Sequence, residues 1–324
     1  MIKIGSTRRI TTDESHNGFT DIVGFKDAIY LAFRSSPSGP GVSVDSFVRI
    51  LQSNDGVVWA EVHRFGVEGR DLRGAHFLAL GGTLFVYSGS ADASPSAHDL
   101  SDLNGRLGYM VSSNDGLNWT DPVALESTRG HDVWRAAAFG GRAYLSGRRK
   151  NGFVSLPHEK SEWAIQQSVL LHSGDGIEFE ELASFLPSYG DETAFLFGES
   201  GEVAALVRCR DPEQPAFICR SEPPFAEWER VQIDRNVRGP MLARWANFWI
   251  AGGGFGPASG LHTKLCWLEE DGLVDAVELP GGGEGSCPSF LELDPSRAIV
   301  SYSSSHEDGG PYPGSVYVAE LTLE

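Results

Sequence analysis

Two carboxylates and two arginines stand at comparable points of this sequence, each close to the start of a short apolar strand. Asp21 and Glu192 are the carboxylates, and Arg73 and Arg135 are the arginines. Hydrolysis of a glycosidic bond needs one carboxylic acid to protonate the leaving oxygen and one carboxylate to activate water or to attack. The two acids therefore predict glycoside hydrolase chemistry, with Asp21 and Glu192 as the acid/base pair on opposite sides of a water molecule.

Other polar residues near these strands could bind the substrate. Guanidinium groups bind a carboxylate or a sulfate through paired hydrogen bonds, which favours an acidic sugar as the substrate. The indole of Trp134 could stack on a sugar ring, and His306 could act as a further catalytic group. The side chains predicted to bind substrate are His16, Arg34, Arg73, Trp134, Arg135, Arg208 and Glu307.

A purely structural interpretation of the same residues stays open. Asp21 and Glu192 could pair with Arg73 and Arg135 in a buried ring of ion pairs, because buried charges are costly unless they are paired. Other candidates could simply be solvated, namely Arg34, Arg208, a loop tip at residues 148–150 and a polar loop at residues 306–307.

The strands that carry these residues belong to a unit that recurs six times. In each copy a polar or small anchor residue precedes an apolar strand, a turn follows, and a second apolar strand returns. Successive anchors are about fifty residues apart, which leaves room for the four short strands of one propeller blade. The anchors are Asp21, Arg73, Arg135, Glu192, Gly239 and Cys287.

A closed ring of six blades would bring the anchors together. The first strands of the blades line the central channel and run in the same sense, so the anchors should occupy equivalent points at one mouth. The last unit is one strand short, and residues 2–10 could supply that strand and remove an exposed edge. The sequence thus predicts an all-β fold, a six-bladed β-propeller made by residues 1–324 as a single domain. Loops rich in Gly, Pro and Ser at residues 34–45 and 88–104 are expected to wall the mouth.

Three short segments repeat independently of the hairpins. Residues 53–59 and 113–119 both begin Ser-Asn-Asp-Gly and end in Trp, and residues 173–179 are a weaker copy that ends in Phe. These segments match the Asp-box, or BNR repeat, and the chain resembles the sialidase superfamily, most closely a bacterial group described as exo-sialidase-like proteins. The resemblance implies a six-bladed propeller that acts on carbohydrate. The other matching segments are residues 16–21, 33–34, 71–73, 134–135, 192–193, 239–240 and 301–307.

The chain departs from the pattern of that group in the last blade and at three other places. The group's usual Tyr-Pro is replaced by Cys287 and Pro288, and that tyrosine position resembles the nucleophile of true sialidases. Sialidases also use an Asp of the first blade and a Glu of a central blade, which Asp21 and Glu192 match in type. Because a thiol does not reproduce the chemistry of a phenolate, the resemblance implies a glycosidase other than a typical sialidase. The other departures are Gly74-Ala75, Asp191 and Met241.

The composition narrows the possible partners. The net charge of −18 disfavours nucleic acid and anionic membrane surfaces, since binding to either depends on a basic face. No apolar run approaches the roughly 18 residues that span a bilayer, and the first residues do not resemble a signal peptide. We expect a cytoplasmic protein, or a secreted one whose leader has been removed. The four cysteines lack metal-binding spacing, so we expect free thiols, no metal and no cofactor.

The sequence therefore predicts an exo-acting glycoside hydrolase whose only partner is a carbohydrate ligand bound at the channel mouth. Two alternatives stay open. One is a non-catalytic carbohydrate-binding or scaffold propeller. The other is a polysaccharide lyase, in which a His or Tyr base acts beside charge-neutralising arginines.

Overall fold

The computed structural model describes residues 1–94, 102–156, 158–257, 260–308 and 314–324. Strands dominate these residues, at 58% against 5% helix. They form six separate four-stranded sheets, and each sheet is an antiparallel meander. The predicted six-bladed β-propeller is confirmed.

Blades one to five each take four consecutive strands, and blade six takes the last three strands together with the first. In chain order the strands are β1 (Ile2–Arg9) of blade six; β2 (His16–Phe25), β3 (Ala28–Ser36), β4 (Phe47–Ser53) and β5 (Ala60–Phe65) of blade one; β6 (Arg70–Leu80), β7 (Thr83–Asp92), β8 (Gly108–Ser113) and β9 (Val123–Leu125) of blade two; β10 (Asp132–Phe139), β11 (Arg142–Lys150), β12 (Gln166–Ser173) and β13 (Glu180–Leu186) of blade three; β14 (Gly190–Phe197), β15 (Val203–Cys209), β16 (Phe217–Ser221) and β17 (Glu229–Gln232) of blade four; β18 (Arg238–Trp245), β19 (Phe248–Phe255), β20 (His262–Leu268) and β21 (Leu273–Glu278) of blade five; and β22 (Ser289–Asp294), β23 (Arg297–Ser304) and β24 (Ser315–Leu323) of blade six.

Helical structure is confined to short connections. The one α-helix among the described residues is α1 (Glu159–Ala164), and 3₁₀ turns span Leu103–Gly105, Glu126–Thr128 and Asn151–Phe153. No helix in this part of the chain has the length and apolar character that crossing a bilayer requires.

The ring closes where the two ends of the chain meet. β1 pairs antiparallel with β24, from Ile2 opposite Leu323 to Arg9 opposite Tyr317. The predicted role of the N-terminal segment is confirmed, with the strand ending at Arg9. This pairing covers the edge of β24 that would otherwise expose unpaired backbone groups.

A hydrophobic cluster fills each gap between neighbouring blades. Between blades one and two, for example, Tyr30 and Ile50 pack with Leu72 and Val86. Side chains alternate along each strand, so every sheet presents apolar residues to both of its neighbours. The buried apolar area therefore lies between the blades and leaves the channel free for polar groups.

The three repeated Asp-Gly turns fasten each blade to the blade before it. In each turn the carboxylate accepts two backbone N–H groups; Asp115 accepts those of Leu117 and Asn118 at 2.8 and 2.7 Å. The turns connect the third and fourth strands of blades one, two and three, as predicted. In blade two the glycine, Gly116, adopts a positive φ of 79° and lies directly against the Tyr30 phenol of blade one.

Replacing Gly116 by alanine should be markedly more destabilising than the same change in the equivalent turn of blade one. A Cβ at Gly116 would overlap the Tyr30 hydroxyl and lie 2.5 Å from Cζ, whereas a Cβ at Gly56 meets its nearest atom at 3.8 Å. Both glycines have similar positive φ, 79° and 73°, so the strain of left-handed backbone is shared. We expect Gly116→Ala to lower the free energy of unfolding by about 3 kcal/mol and Gly56→Ala by about 1 kcal/mol. Urea denaturation measures both, and equal losses would contradict this packing argument.

Candidate functional site at the channel mouth

A bulge interrupts the inner strand of five blades close to the mouth, the end of the channel at which the inner strands begin. At each bulge two residues of the inner strand face one residue of the second strand. The pairs are Phe19-Thr20, Gly74-Ala75, Trp134-Arg135, Asp191-Glu192 and Gly239-Pro240. The first residue has positive φ in three of them, Phe19, Gly74 and Gly239. Such bulges turn a strand and redirect its side chains.

The bulges change which anchor residues are equivalent. Arg135 and Glu192 are each the second residue of the bulge in their blade. Asp21, in contrast, directly follows the bulge of blade one, and Arg73 directly precedes the bulge of blade two. The expectation that all four anchors occupy equivalent points is therefore wrong, because the anchors of blades one and two are shifted along their strands relative to those of blades three and four. The bulge shifts a side chain to another face of the strand, so Asp21 and Glu192 point to different parts of the channel.

Arg135 spans the channel from blade three. Its guanidinium contacts the Asp21 carboxylate of blade one at 3.3 Å, the Pro240 carbonyl of blade five at 3.3 Å and the Pro288 carbonyl of blade six at 2.9 Å. The ion pair is largely buried, with 9% of the Arg135 side chain and 14% of the Asp21 side chain exposed. This is the structural ion pair that the sequence left open for Asp21 and Arg135.

Asp21 is fully engaged in this buried position. One oxygen accepts the Ser289 hydroxyl at 2.5 Å, and the other accepts the Phe77 backbone N–H at 2.7 Å. Burial raises the pKa of Asp21, although Arg135 and these hydrogen bonds oppose the shift. Asp21 and Arg135 line a cavity of about 410 Å³ that continues along the channel towards Glu292. Arg135, Ser289 and the Phe77 backbone engage both oxygens of Asp21. The expected arrangement of Asp21 and Glu192 with a water molecule between them is therefore not found.

Arg34, Asp71 and Arg73 form a second charged group, which joins blades one and two. Asp71 accepts Arg34 at 2.8 Å on one oxygen and Arg73 at 3.0 Å on the other. The Arg34 side chain is wholly buried, so it is not a solvated strand end, and it also donates to the carbonyls of Leu72 and Gly41. One of its nitrogens, Nη1, has no hydrogen-bond partner among the residues that the structure describes. The predicted proximity of Arg34 and Arg73 is thus found, with Asp71 as the bridging acid.

A third group continues the charges through blades three and four. Arg148 donates to Asp132 at 2.7 Å and also contacts Asp191. Arg208 donates to Glu192 at 2.9 Å and lies 3.6 Å from Asp191. The interpretation of residues 148–150 as a solvated loop tip is wrong for Arg148, which lies on β11. The alternative that Arg208 is merely a solvated side chain is also wrong, because it pairs with Glu192. The arginines on both sides hold the pKa of Asp191 below its usual value, although burial raises it.

Arg106 is a site residue that the sequence reasoning missed. It lies in the connection between β7 and β8 and is 6% exposed. Burial lowers its pKa, and the nearby charges include Asp132, Arg148 and Arg73. Its Nε and Nη1 make no hydrogen bond to any part of the chain that the structure describes. No repeat marks this loop position, so only the folded chain shows that it joins the cluster.

Glu192 is the carboxylate that reaches the mouth. Its Oε2 accepts Arg208 and the Gly239 backbone N–H, both at 2.9 Å. Its Oε1 makes no hydrogen bond with another described residue. Cys287 packs against Gly239. The charges of Glu192, Arg135, Arg208 and Arg73 are close enough to affect its pKa. Inner strands of blades two, three, four and five meet here together with the residue Cys287, which precedes the inner strand of blade six, as the ring geometry predicts.

The thiol of Cys287 is not a reactive nucleophile. Burial and the neighbouring Glu192 raise its pKa to about 12, although the surrounding arginines oppose the shift. A thiol with that pKa is protonated at neutral pH, and only the thiolate is nucleophilic. Cys287 therefore shapes the mouth without supplying the chemistry of a sialidase tyrosine.

A small pocket of about 170 Å³ opens beside Cys287, between blades one and six. Its walls include His16, Phe19, Glu284 and Ser303. Burial, Arg34 and Arg73 lower the pKa of His16 to about 4, so the imidazole is neutral at physiological pH. Glu284 accepts the backbone N–H and hydroxyl of Ser305 at 2.6 and 3.0 Å. Sequence reasoning missed this acid because it stands alone in a glycine-rich segment.

The remaining predicted residues lie away from the charged cluster or below it. His306 contacts the Ser304 hydroxyl at 3.0 Å, and its ring lies 4.4 Å from that of Tyr317 at a tilt of 39°. The Tyr317 hydroxyl donates to Glu307 at 3.3 Å. In the described chain neither residue contacts Glu192 or Asp21. Trp134 is 5% exposed, with its ring packed on His76 and edge-on to Phe19. The predicted sugar-stacking role of Trp134 is wrong, because its ring is already buried.

No group of three or more His, Cys, Asp or Glu side chains in the described residues is arranged to hold a metal ion. All four cysteines are free thiols; Cys209, Cys219 and Cys266 are buried and Cys287 is partly exposed.

The fold is that of the sialidase-like six-bladed propellers. No protein-family model matches the chain, and no curated protein matches it.

Among solved structures, a protein of unknown function from Dyadobacter fermentans is similar with a TM-score of 0.78 and 18% identity, covering 100% of this chain and 99% of that one. Trypanosoma rangeli sialidase has a TM-score of 0.71 and 11% identity, covering 94% of this chain and 55% of its own. Phage phi92 endosialidase has a TM-score of 0.65 and 10% identity, covering 99% and 69%. This chain thus spans about half the length of the Trypanosoma rangeli enzyme, and such low identities establish the fold alone.

Replacing Asp191 by asparagine should destabilise the protein in a manner that depends on pH. The change removes the buried carboxylate that Arg148 and Arg208 share and leaves Arg148 with Asp132 and Arg208 with Glu192. We expect a loss of about 2 kcal/mol at pH 7. Because the pKa of Asp191 is lower in the folded state, its contribution is present above its unfolded value of about 3.8 and is lost as the pH falls through the folded value. The difference from the wild type should therefore shrink below about pH 4.

Urea denaturation across a pH series measures this difference. Asp27→Asn, at the exposed turn between β2 and β3, is the matched control and should change stability by less than about 0.5 kcal/mol. A deficit for Asp191→Asn that stays constant down to acid pH would show that the ion pairs are not its cause.

Proposed function

We propose that the channel mouth binds an acidic carbohydrate and hydrolyses its glycosidic bond. The observation that carries this proposal is a set of buried guanidinium donors for which the described residues offer no acceptor, Nη1 of Arg34 and both Nε and Nη1 of Arg106. A buried charged donor left unpaired is costly, commonly by about 1–3 kcal/mol or more. A ligand carboxylate or sulfate would supply the missing acceptors.

The charge balance of the mouth supports an anionic ligand. Arginines outnumber acids in the cluster, although the chain as a whole carries a net charge of −18. Guanidinium groups bind planar oxyanions through paired hydrogen bonds, which suits a uronic, sialic or sulfated sugar. The arginines of this cluster are Arg34, Arg73, Arg106, Arg148, Arg208 and Arg210, and the acids are Asp71, Asp132, Asp191 and Glu192.

The fold neighbours are consistent with a sugar ligand. Trypanosoma rangeli sialidase is known in complex with sialic acid, and that structure has a TM-score of 0.68 to this chain. At 12% identity the likeness concerns the scaffold. The proposal for this chain therefore rests on its own arginines and acids.

Glu192 and Glu284 are the two carboxylates that we assign to the chemistry. One oxygen of Glu192, beside Cys287, makes no hydrogen bond with the residues that the structure describes. Glu284 lines the pocket that Cys287 also lines. In glycoside hydrolysis one carboxyl protonates the leaving oxygen while the other activates water or attacks. Asp21 is held beneath Arg135, so its role is to neutralise that guanidinium. His16, which is neutral, can accept a hydrogen bond from a sugar hydroxyl.

Removing Arg106 should weaken binding of acidic sugars selectively. Isothermal titration calorimetry would compare glucuronic acid and N-acetylneuraminic acid with uncharged glucose as probes. We expect both acids to bind more tightly than glucose, and Arg106→Met to lower their affinity at least about tenfold, since a charge-assisted hydrogen bond is worth about 1.5–3 kcal/mol. The control is Arg129→Met, because Arg129 pairs with Glu126 on the exposed surface. Equal affinity for glucose and both acids, or no effect of Arg106→Met, would contradict an anion-binding mouth.

Glutamine substitutions should separate the catalytic acids from the structural one. On a panel of 4-nitrophenyl glycosides of acidic sugars, we expect Glu192→Gln and Glu284→Gln each to lower kcat by at least about 100-fold with little change in folding. Asp21→Asn should instead lower the melting temperature, because it leaves Arg135 with a weaker partner, and should retain most of the turnover. Turnover abolished by Asp21→Asn with the melting temperature unchanged would restore the Asp21–Glu192 pair. Binding without turnover of any substrate would identify a carbohydrate-binding module instead.

A further inference from the structure

An acidic and aromatic surface lies at the end of the propeller opposite the mouth. β18 begins at Arg238, next to the Gly239 contact of Glu192, and ends at Trp245, so the turn after it lies at the far end of the channel. Two adjoining grooves of about 540 and 400 Å³ open there and share Trp249, Leu268 and Glu269. We call this region, across blades four, five and six, the far-end surface. Its apolar members are Met1, Phe248, Trp249, Trp267, Leu268 and Leu323.

The apolar part of the far-end surface is exposed to an unusual degree. The Phe248 side chain is 57% exposed, and its ring lies 5.5 Å from that of Trp267. The Arg244 guanidinium lies over the Trp249 ring at 5.4 Å, so one aromatic face here already holds a cation. Contiguous exposed apolar surface with a polar rim is typical of protein interaction sites.

Carboxylates surround these aromatic residues. The first groove is lined by Glu202, Glu222, Glu229, Glu269 and Glu270. Among the described residues Glu222, Glu229 and Glu270 form no ion pair. The one arginine of the groove, Arg220, donates to the Glu269 carbonyl at 3.0 Å. A neighbouring hollow adds Asp271, together with Asp234, which is paired with Arg235 at 2.8 Å. The far-end surface thus presents unneutralised negative charge next to exposed aromatic rings.

We propose that the far-end surface binds a lysine- and arginine-rich segment of a partner protein that carries an apolar anchor. Cationic side chains would pair with the free carboxylates, and the anchor would pack on Phe248 and Trp249. A second copy of this chain fits poorly, because each copy carries a net charge of −18 and would repel another acidic surface. The proposal does not depend on the proposed hydrolase, since the surface and the mouth lie at opposite ends of the ring.

Fluorescence anisotropy with short labelled peptides tests the proposal on the full chain. The probe is a synthetic peptide of alternating lysine and leucine, and the comparison peptide replaces every lysine with glutamate. We expect the lysine peptide to bind with an affinity that falls as salt rises, because exposed ion pairs are screened. The glutamate peptide should not bind.

Substitutions locate the binding. The double variant Glu222→Gln with Glu270→Gln should weaken lysine-peptide binding about fivefold, and Phe248→Ser about tenfold. The matched control, Glu14→Gln with Glu68→Gln, removes the same charge from exposed positions at blade one and should stay within about twofold of wild type. Phe248 is largely exposed, so its replacement leaves the core intact.

Three outcomes would overturn the proposal. Equal weakening by the control pair would mean that net charge alone attracts the peptide. Equal binding of both peptides would mean that only apolar contact matters. Self-association of the chain that Phe248→Ser abolishes would make a second copy the occupant.

Discussion

The ion pair between Arg135 and Asp21 lies at the centre of the molecule, and the arrangement of the other charged groups depends on it. A guanidinium that reaches from blade three to blades one, five and six connects elements that share no sheet. Burying it is tolerable because Asp21 neutralises it and two backbone carbonyls accept hydrogen bonds from it. Arg135 and Asp21 line the same cavity of about 410 Å³, whereas Glu192 is not among the residues that line it. Glu192 pairs instead with Arg208 and the Gly239 backbone N–H.

Around the mouth, acids and bases alternate from blade to blade. Asp71 lies between Arg34 and Arg73, and Asp191 lies between Arg148 and Arg208. Each buried charge thereby has a partner in a setting where an isolated charge would be very costly. Nε of Arg208 and Oδ2 of Asp191 make no hydrogen bond but lie 3.6 Å apart as an ion pair. The donors of Arg34 and Arg106 are the exceptions, because no acceptor among the described residues reaches them. A network that only stabilised the fold would gain from acceptors at these positions.

Much of the fold could be predicted from the sequence, because each blade has a recognisable local sequence pattern. Apolar strands separated by Gly and Asp turns define the hairpins, and the Asp-Gly segments recur at one place in the blade. The closure by β1 followed from counting strands. The site was harder, since a bulge of a single residue moves a side chain to a different face and leaves no mark in the periodicity. Asp21 and Glu192 both stand near the start of an inner strand, but they occupy different positions relative to the bulge, so their side chains have different partners.

Three of the residues that the sequence missed lie outside the inner strands, whereas a fourth, Asp132, lies on the inner strand β10. Arg148 belongs to a second strand, Arg106 to a connection, and Glu284 to a glycine-rich segment, so none shares the anchor pattern. These residues make the charge at the mouth different from the charge at the opposite end of the channel. An anionic ligand approaching a chain of net charge −18 is repelled at long range, but at physiological salt that field decays over about 8 Å. Within that distance the arginines at the mouth dominate, because they are partly desolvated and their attraction is little screened. The opposite end presents carboxylates instead, so an anionic sugar and a cationic peptide would each find only one favourable end of the ring.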